Sequence, residues 1–177
     1  VCCGRINASP GCLLDPDLHL KGNGALTSAK LIDSCNRHLN YLRVSITDRC
    51  NLRCTYCMPD DRIPRLKHSE ILRYEEILRV IRVGVSLGIS KIRVTGGEPL
   101  VRRGIVELTR LISGVEGVDF LGMTTNGTLL SEHAAALKQA GLMGVNISLD
   151  TLDPAKYAHL TRGGRLEDAL AGIDSAI

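Results

Sequence analysis

The sequence has no tryptophan, and aromatic residues make up only 3% of its 177 positions. A core without large rings must be built from Val, Ile, Leu and Ala, as the cores of parallel sheets usually are. No apolar run approaches the ~18 residues that a membrane-spanning helix needs, and the first residues lack the apolar stretch of a secretory signal. We therefore expect no membrane partner. The chain also lacks an initiating methionine, as a processed chain or a fragment would.

The excess of one charge sign over the other is also small. The formal net charge is +3, from 22 Lys and Arg against 19 Asp and Glu. This excess is too small to indicate a nucleic-acid partner. Hydrophobic residues make up 44% of the chain and charged residues 23%, which is ordinary for a globular protein with one core.

Cysteine, by contrast, is abundant. There are seven, an odd number, and three of them lie within eight positions. This spacing suits metal ligation better than a disulfide framework, so we expect a reducing compartment, the cytoplasm. Residues 1–38 are rich in Gly, Asn, Ser and Pro and are predicted to form a weakly ordered lead-in. Cys2, Cys3 and Cys12 within it are expected to have no ligand role.

Four β-type runs alternate with helical patterns over the predicted core, residues 39–177. The runs cover 41–47, 91–95, 118–124 and 144–149. The first helix shows an apolar stripe that includes Ile77 and Val80 and ends near Gly88; Ser131 is the expected cap of the third helix. Asp153 precedes Pro154 as a cap, and the last helix carries Leu170 on its apolar side. Strands alternating with helices predict an α/β fold with a parallel sheet, either doubly wound or a barrel.

In each predicted strand the apolar residues occupy every second position, so only one face of the strand is apolar. Helices must cover that apolar face, and the opposite face then points polar side chains into a common interior. Burying such groups unpaired costs several kcal/mol each, by order of magnitude, so they need water or a polar ligand. The pattern favours a partly open barrel around a ligand. The alternative is a sheet with one wet face, which is rare for parallel strands.

The three clustered cysteines are Cys50, Cys54 and Cys57, directly after the first strand. Parallel α/β proteins place their chemistry at this carboxyl rim. Three thiolates on one loop can hold three irons of a cubane cluster, and the neighbouring Arg49 and Arg53 are expected to favour the thiolate form. A structural zinc would need a fourth ligand, for which Cys35 and His68 are the nearest candidates. Buried structural cysteines are the third interpretation.

This cysteine triplet, with Tyr56 before Cys57, resembles the motif of the radical S-adenosylmethionine (SAM) superfamily. The resemblance implies a partial TIM-like (β/α) barrel and a [4Fe–4S] cluster whose open iron chelates SAM. In that superfamily, one electron from the cluster then cleaves the sulfonium of SAM and yields a 5′-deoxyadenosyl radical. Segment 95–100 resembles the superfamily's glycine-rich segment, which implies that Gly97 binds SAM. Tyr56 and Ser148 match further SAM contacts.

Longer strings, at 41–50, 57–59, 95–103 and 124–127, resemble the MoaA family, the GTP 3′,8-cyclases of molybdenum cofactor biosynthesis. The resemblance implies that Arg43, Arg93 and Thr124 bind GTP. Arg102 and Arg103 lie close to the same rim in the sequence pattern, and we expect them to add to the positive field there. It also implies an external one-electron reductant and a downstream cyclic pyranopterin monophosphate synthase. It allows a homodimer, and a mitochondrial location if the source is eukaryotic.

Family members carry a second cysteine triplet, for a second [4Fe–4S] cluster, in a C-terminal half that these 177 residues do not contain. We therefore expect the isolated 177 residues to bind a cluster poorly and not to turn over GTP. Two alternatives stay open at this point: another radical SAM enzyme that modifies a peptide or small molecule, and a zinc-binding module without catalysis.

Overall fold

The computed structural model describes residues 31–58 and 66–177. Most of the predicted lead-in, including Cys2, Cys3 and Cys12, lies outside these residues. Residues 31–38 form a turn closed by an antiparallel bridge between Ile32 and His38. Leu31, just before the bridge, packs against the main core.

Four parallel strands form one sheet in the order β1-β2-β3-β4. The strands are β1 Tyr41–Ser45, β2 Lys91–Thr95, β3 Phe120–Thr125 and β4 Gly144–Ile147. Each lies where the alternating pattern predicted it, with ends that differ by at most two residues. Strand order that follows chain order is the arrangement of a barrel wall, because a doubly wound sheet reverses its order part-way.

Five α-helices connect or follow the strands: α1 Tyr74–Ser86, α2 Ile105–Ser113, α3 Leu130–Gln139, α4 Pro154–Thr161 and α5 Leu166–Asp174. Two short 3-10 turns cover His68–Glu70 and Pro99–Val101. Within the described ranges, no helix is both long and apolar enough to cross a bilayer.

Helix ends follow the predicted signals with one exception. Gly88, just past α1, has a φ of 95°, a left-handed conformation that ends the helix without strain. Asp153 caps α4 by accepting a hydrogen bond from the Lys156 N–H at 3.0 Å. The prediction that Ser131 caps α3 is wrong. The turn at Gly127 starts that helix at Leu130, so Ser131 lies inside its first turn.

The main core lies between the apolar face of the sheet and helices α1, α2 and α3. Its fully buried side chains include Ile92 of β2, Ile81 of α1 and Leu108 of α2. Burying each such side chain contributes about 1.5–3 kcal/mol. The predicted stripe of α1 is partly wrong, because Val80 is 46% exposed and Leu78 is buried in its place.

A second, smaller cluster lies beyond the end of β4, where Tyr157, Leu166 and Ala169 pack with Leu149. The predicted apolar side of α5 is wrong at Leu170, which is exposed. Gly172 is buried on that helix, and a Cβ there would overlap the carbonyl group of Gly127. This close contact packs α5 against the loop after β3.

Candidate functional site

Residues 48–58 form the loop after β1, which we call the cysteine loop. Two backbone hydrogen bonds tie its middle to the carboxyl end of α4: Arg53 N–H to Thr161 O at 3.1 Å and Thr55 N–H to Leu160 O at 2.9 Å. Leu52 beside them is buried. The loop therefore has a fixed position on the carboxyl side of the sheet.

Cys50, Cys54 and Cys57 on this loop are free thiols, half-buried at the first two positions and exposed at the third. Burial raises the pKa of the Cys50 thiol, and the charges of Glu98 and Cys54 raise it further. Burial also raises the pKa of Cys57, as do the charges of Cys54 and Cys50. Because the charges of neighbouring sulfurs raise the pKa of both Cys50 and Cys57, the three sulfurs lie close enough to interact, and a bound metal would relieve that repulsion.

The expectation that Arg49 and Arg53 favour the thiolate form is wrong for Cys50 and Cys57, since the pKa of each is raised. Burial is the main cause of both shifts, and neither arginine is among the causes. The guanidinium of Arg53 donates instead to the sulfur of Met58 at 3.4 Å.

Two glycines follow β2 and lie against the cysteine loop. Gly97 N–H donates to Thr47 O at 2.7 Å, and Glu98 N–H donates to Arg49 O at 2.8 Å. A Cβ on Gly96 would lie 2.6 Å from Thr47 O, and one on Gly97 would overlap Arg49 O. Glycine is required here because the two backbones touch each other, a reason that the sequence did not reveal.

Glu98, the next residue, is a buried carboxylate with 1% of its surface exposed. Its Oε1 accepts hydrogen bonds from Leu100 N–H at 3.0 Å and from the Thr125 hydroxyl at 2.8 Å, and its Oε2 accepts one from Asn126 N–H at 2.7 Å. Burial raises its pKa despite these donors. Glu98 thereby fastens the glycine loop to the end of β3.

Asn126 continues this connection toward the cysteine loop. Its side-chain Nδ2 donates to Asn51 Oδ1 at 2.9 Å and to the sulfur of Cys50 at 3.8 Å. Its Oδ1 accepts from both the N–H and the hydroxyl of Thr128, at 3.0 and 2.7 Å. The Asn51 Nδ2 completes the ring by donating to the Thr128 hydroxyl at 2.8 Å.

Tyr56 joins the cysteine loop to the segment after β4. Its hydroxyl donates to Asp150 Oδ2 at 2.6 Å, and this bond is the main cause that raises the pKa of the phenol. Ser148, two residues earlier, is exposed, and its N–H donates to Thr125 O at 2.9 Å. The structure thus brings two of the predicted SAM-binding residues to the same end of the sheet as the thiols.

The predicted GTP-binding residues lie on the sheet face opposite the helices, which we call the open face. Arg43 and Arg93 are paired in register on neighbouring strands. The guanidinium of Arg93 donates to Tyr41 Oη at 2.8 Å and to Met123 O at 3.4 Å, and lies 5.9 Å from the ring centre of Phe120. Arg43 is exposed.

Thr124 lies on the same face two strands away, in register with Asn146. Arg102, which we expected to add to the field there, has another role. Its guanidinium donates to the carbonyl oxygens of Ile46 and Leu72 and packs 4.6 Å from the ring centre of Tyr74. It therefore ties the start of α1 to the end of β1.

The sequence model of the radical SAM superfamily matches residues 44–177, about three quarters of the chain. The chain belongs to the radical SAM superfamily. The cysteine loop and the glycine segment lie inside the matched region, as do Arg93 and Thr124 of the open face, whereas Arg43 directly precedes it.

Within this superfamily the chain is similar to curated GTP 3′,8-cyclases. It is 56% identical over 145 residues to the one from Pelotomaculum thermopropionicum and 58% identical over 146 residues to the one from Peptoclostridium acidaminophilum. Each match covers 82% of this chain and 45% of the relative. The chain thus spans about half the length of the curated relatives it matches.

Among solved structures, the crystal structure of Streptococcus suis SuiB bound to S-adenosylmethionine has a TM-score of 0.58 to this chain at 20% identity. The match covers 75% of this chain and 30% of SuiB. At this identity the likeness concerns the fold alone, and it confirms the α/β barrel wall of the radical SAM type.

The donor set on the cysteine loop fits the cluster that this superfamily implies. Three sulfur ligands suit iron–sulfur chemistry, and the ligands of a cubane bind different irons, so they do not converge on one point. In the described ranges, no group of three or more His, Cys, Asp or Glu side chains could hold a single metal ion.

Sequence reasoning missed Glu98 and Asn126. One signal could have identified Glu98: it is a charged residue between two glycines and a proline, directly after a strand that is expected to be buried. For Asn126 there was only an Asn-Gly turn after β3, and nothing local indicated its contact with Cys50.

Proposed function

We propose that this chain carries the cluster-binding part of a radical SAM GTP 3′,8-cyclase. Such a lyase converts GTP to (8S)-3′,8-cyclo-7,8-dihydroguanosine 5′-triphosphate in the first step of molybdenum cofactor biosynthesis. The observation that carries the proposal is the identity of 56 and 58% to curated cyclases over more than four fifths of the chain. The SuiB structure with a bound precursor peptide could suggest a peptide substrate. It shares only 20% identity with this chain, however, and so does not favour that alternative.

Cys50, Cys54 and Cys57 would hold three irons of a [4Fe–4S] cluster, and the second cluster would bind outside these residues. When bound with SAM, the first cluster supplies a carbon radical that can take a hydrogen atom from the ribose of GTP. The backbone hydrogen bonds from the cysteine loop to α4 would hold the cluster at the carboxyl end of the sheet. Gly97, Tyr56 and Ser148 would contact SAM from three different loops at the carboxyl end of the sheet.

Arg43 and Arg93 would bind the triphosphate. Guanidinium groups in general are cationic and offer forked donors that match phosphate oxygens. Tyr41 and the Met123 carbonyl group hold the side chain of Arg93 over the open face before substrate arrives. This preorganisation reduces the entropy lost on binding. Thr124 would donate or accept one further hydrogen bond.

The same proposal implies partners outside the chain. These are an external one-electron reductant, the synthase that converts the cyclised product to cyclic pyranopterin monophosphate, and a second copy in a homodimer. The cytoplasm, or the mitochondrial matrix in a eukaryote, would be the location. The isolated 177 residues would bind the cluster poorly and be inactive, since they span about half of the relatives' length.

The full-length protein, reconstituted without oxygen with iron and sulfide, tests the proposal. Incubated with SAM and dithionite, it should form 5′-deoxyadenosine together with a cyclised nucleotide when GTP is present, and far less with ATP. Equal turnover of ATP, or 5′-deoxyadenosine formed only with a peptide, contradicts the proposed substrate. A colourless protein that binds stoichiometric zinc contradicts the cluster.

A pair of cysteine variants provides the matched control. Cys50→Ala should abolish the brown colour and the activity, because only two thiols would remain on the cysteine loop. Cys35→Ala, at an exposed thiol in the turn at residues 31–38, should retain both. Equal losses in the two variants would show that the loss does not come from ligation by the cysteine loop.

A further inference from the structure

We propose that Asn126 is a positioning residue that sets the reduction potential of the cluster by donating a hydrogen bond from its Nδ2 to the sulfur of Cys50. The inference rests on the proposed ligand role of Cys50 and does not depend on GTP being the substrate. It concerns a residue that is neither a cluster ligand nor one of the predicted SAM or GTP contacts.

The orientation of the Asn126 amide follows from its partners. The Thr128 backbone N–H can only donate, and it lies 3.0 Å from Asn126 Oδ1. The oxygen therefore points toward Thr128, and the NH₂ group points toward the cysteine loop. Its two hydrogens have two acceptors, Asn51 Oδ1 at 2.9 Å and the Cys50 sulfur at 3.8 Å.

A buried carboxylate fixes the backbone of Asn126. Its backbone N–H donates to the carboxylate of Glu98, and the preceding Thr125 hydroxyl donates to the same side chain. Because Glu98 is 1% exposed, water does not compete for these bonds. Asn126 is thus fixed at its backbone, by Glu98, and at its amide oxygen, by Thr128.

Cys50 receives a second donor from the cysteine loop itself, the N–H of Leu52 at 3.4 Å. Hydrogen bonds to ligand sulfurs are one of the levers by which a protein tunes an iron–sulfur cluster. The reduced cluster carries one more negative charge than the oxidised one. A donor to a ligand sulfur therefore stabilises the reduced form more and raises the potential.

Redox titration of the reconstituted full-length protein, followed by electron paramagnetic resonance of the reduced first cluster, tests this inference. Asn126→Ala should shift the midpoint potential to a more negative value. At the solution potential where half of the native cluster is reduced, less than half should be reduced in the variant. Asn126→Asp, which keeps the acceptor for Thr128 and adds a negative charge, should shift the potential further.

Thr128→Val is the matched control. It removes the hydroxyl from the ring of hydrogen bonds but keeps the backbone N–H that orients Asn126, so the potential should stay near the native value. An unchanged potential in both Asn126 variants overturns the inference, as does a shift of equal size in Thr128→Val. Absence of a cluster signal in the native protein would instead contradict the proposed function.

A measurement on the native protein covers the case in which the variants do not fold. Asparagine labelled isotopically at its side-chain nitrogen should show a magnetic coupling to the reduced cluster in pulsed electron paramagnetic resonance. Absence of that coupling, in a sample that shows the cluster signal, also overturns the inference.

Discussion

The two faces of the sheet are made by the same strands but have different roles. On one face, Ile92 is fully buried against the helices. The next residue, Arg93, lies on the open face with its guanidinium held by Tyr41. Because side chains alternate along a strand, one residue of each pair stabilises the fold and its neighbour can bind a ligand. Substitutions at adjacent positions should therefore have separable effects.

The largest effect is expected on the helix-covered face. Ile92→Ala leaves a cavity in the core and should lower the free energy of unfolding by about 2–5 kcal/mol. Arg93→Ala should lower it by less than about 1 kcal/mol, as most substitutions outside the core do. Urea denaturation of the apo-protein measures both. A loss from Arg93→Ala as large as that from Ile92→Ala would contradict the division between the faces.

The second effect concerns binding on the open face. Arg43→Ala and Arg93→Ala should each weaken GTP binding about tenfold to a hundredfold, since a hydrogen bond to a charged group contributes about 1.5–3 kcal/mol. Arg93→Lys should fall between native and alanine, because it keeps the charge and loses the fork. Equilibrium binding of GTP is the measurement. Arg79→Ala, at an exposed position of α1, is the control and should leave the affinity unchanged.

A smaller effect sharpens the comparison within the open face. A methyl group at Gly122 would lie 2.9 Å from the Phe120 ring and 3.2 Å from the Arg93 guanidinium carbon. Gly122→Ala should displace Arg93 and weaken GTP binding about fivefold, equivalent to about 1 kcal/mol. Gly144→Ala is matched to it, in the same row but with a new contact of 3.4 Å. Equal effects from the two would show that the displacement of Arg93 is not the cause.

The smallest effect is a pH dependence at the border between the faces. Burial raises the pKa of Glu98, so the folded protein holds this proton more tightly than the unfolded chain does. Its contribution to stability is therefore greatest below the ordinary pKa of a glutamate and declines as the pH rises through the raised value. Glu98→Gln should lack this decline. Denaturation of both proteins across this pH range measures it, and parallel curves would contradict it.

The period-two pattern of the strands predicted their places and their two faces because a strand has only two sides. The helices were less well predicted. A small rotation of α1 about its axis buries Leu78 instead of Val80, and the sequence does not show which of the two side chains contacts the sheet. Tertiary packing decides it.

The candidate site was predictable where its residues lie close in sequence, as the three cysteines do. The hydrogen bonds from Glu98 to Asn126 and from Asn126 to Cys50 were not. They join residues separated by 28 and 76 positions, and no local pattern encodes such a contact. The glycines after β2 were found, but their physical reason, the touching backbones, appears only in three dimensions.

The two backbone bonds between the cysteine loop and the end of α4 set an order of events during synthesis. The ribosome produces the three thiols long before it reaches Leu160 and Thr161. Until then the loop lacks the anchor that shapes it. Delivery of iron and sulfide to these thiols should therefore succeed only after α4 has left the exit tunnel, more than 100 residues after the first thiol is made.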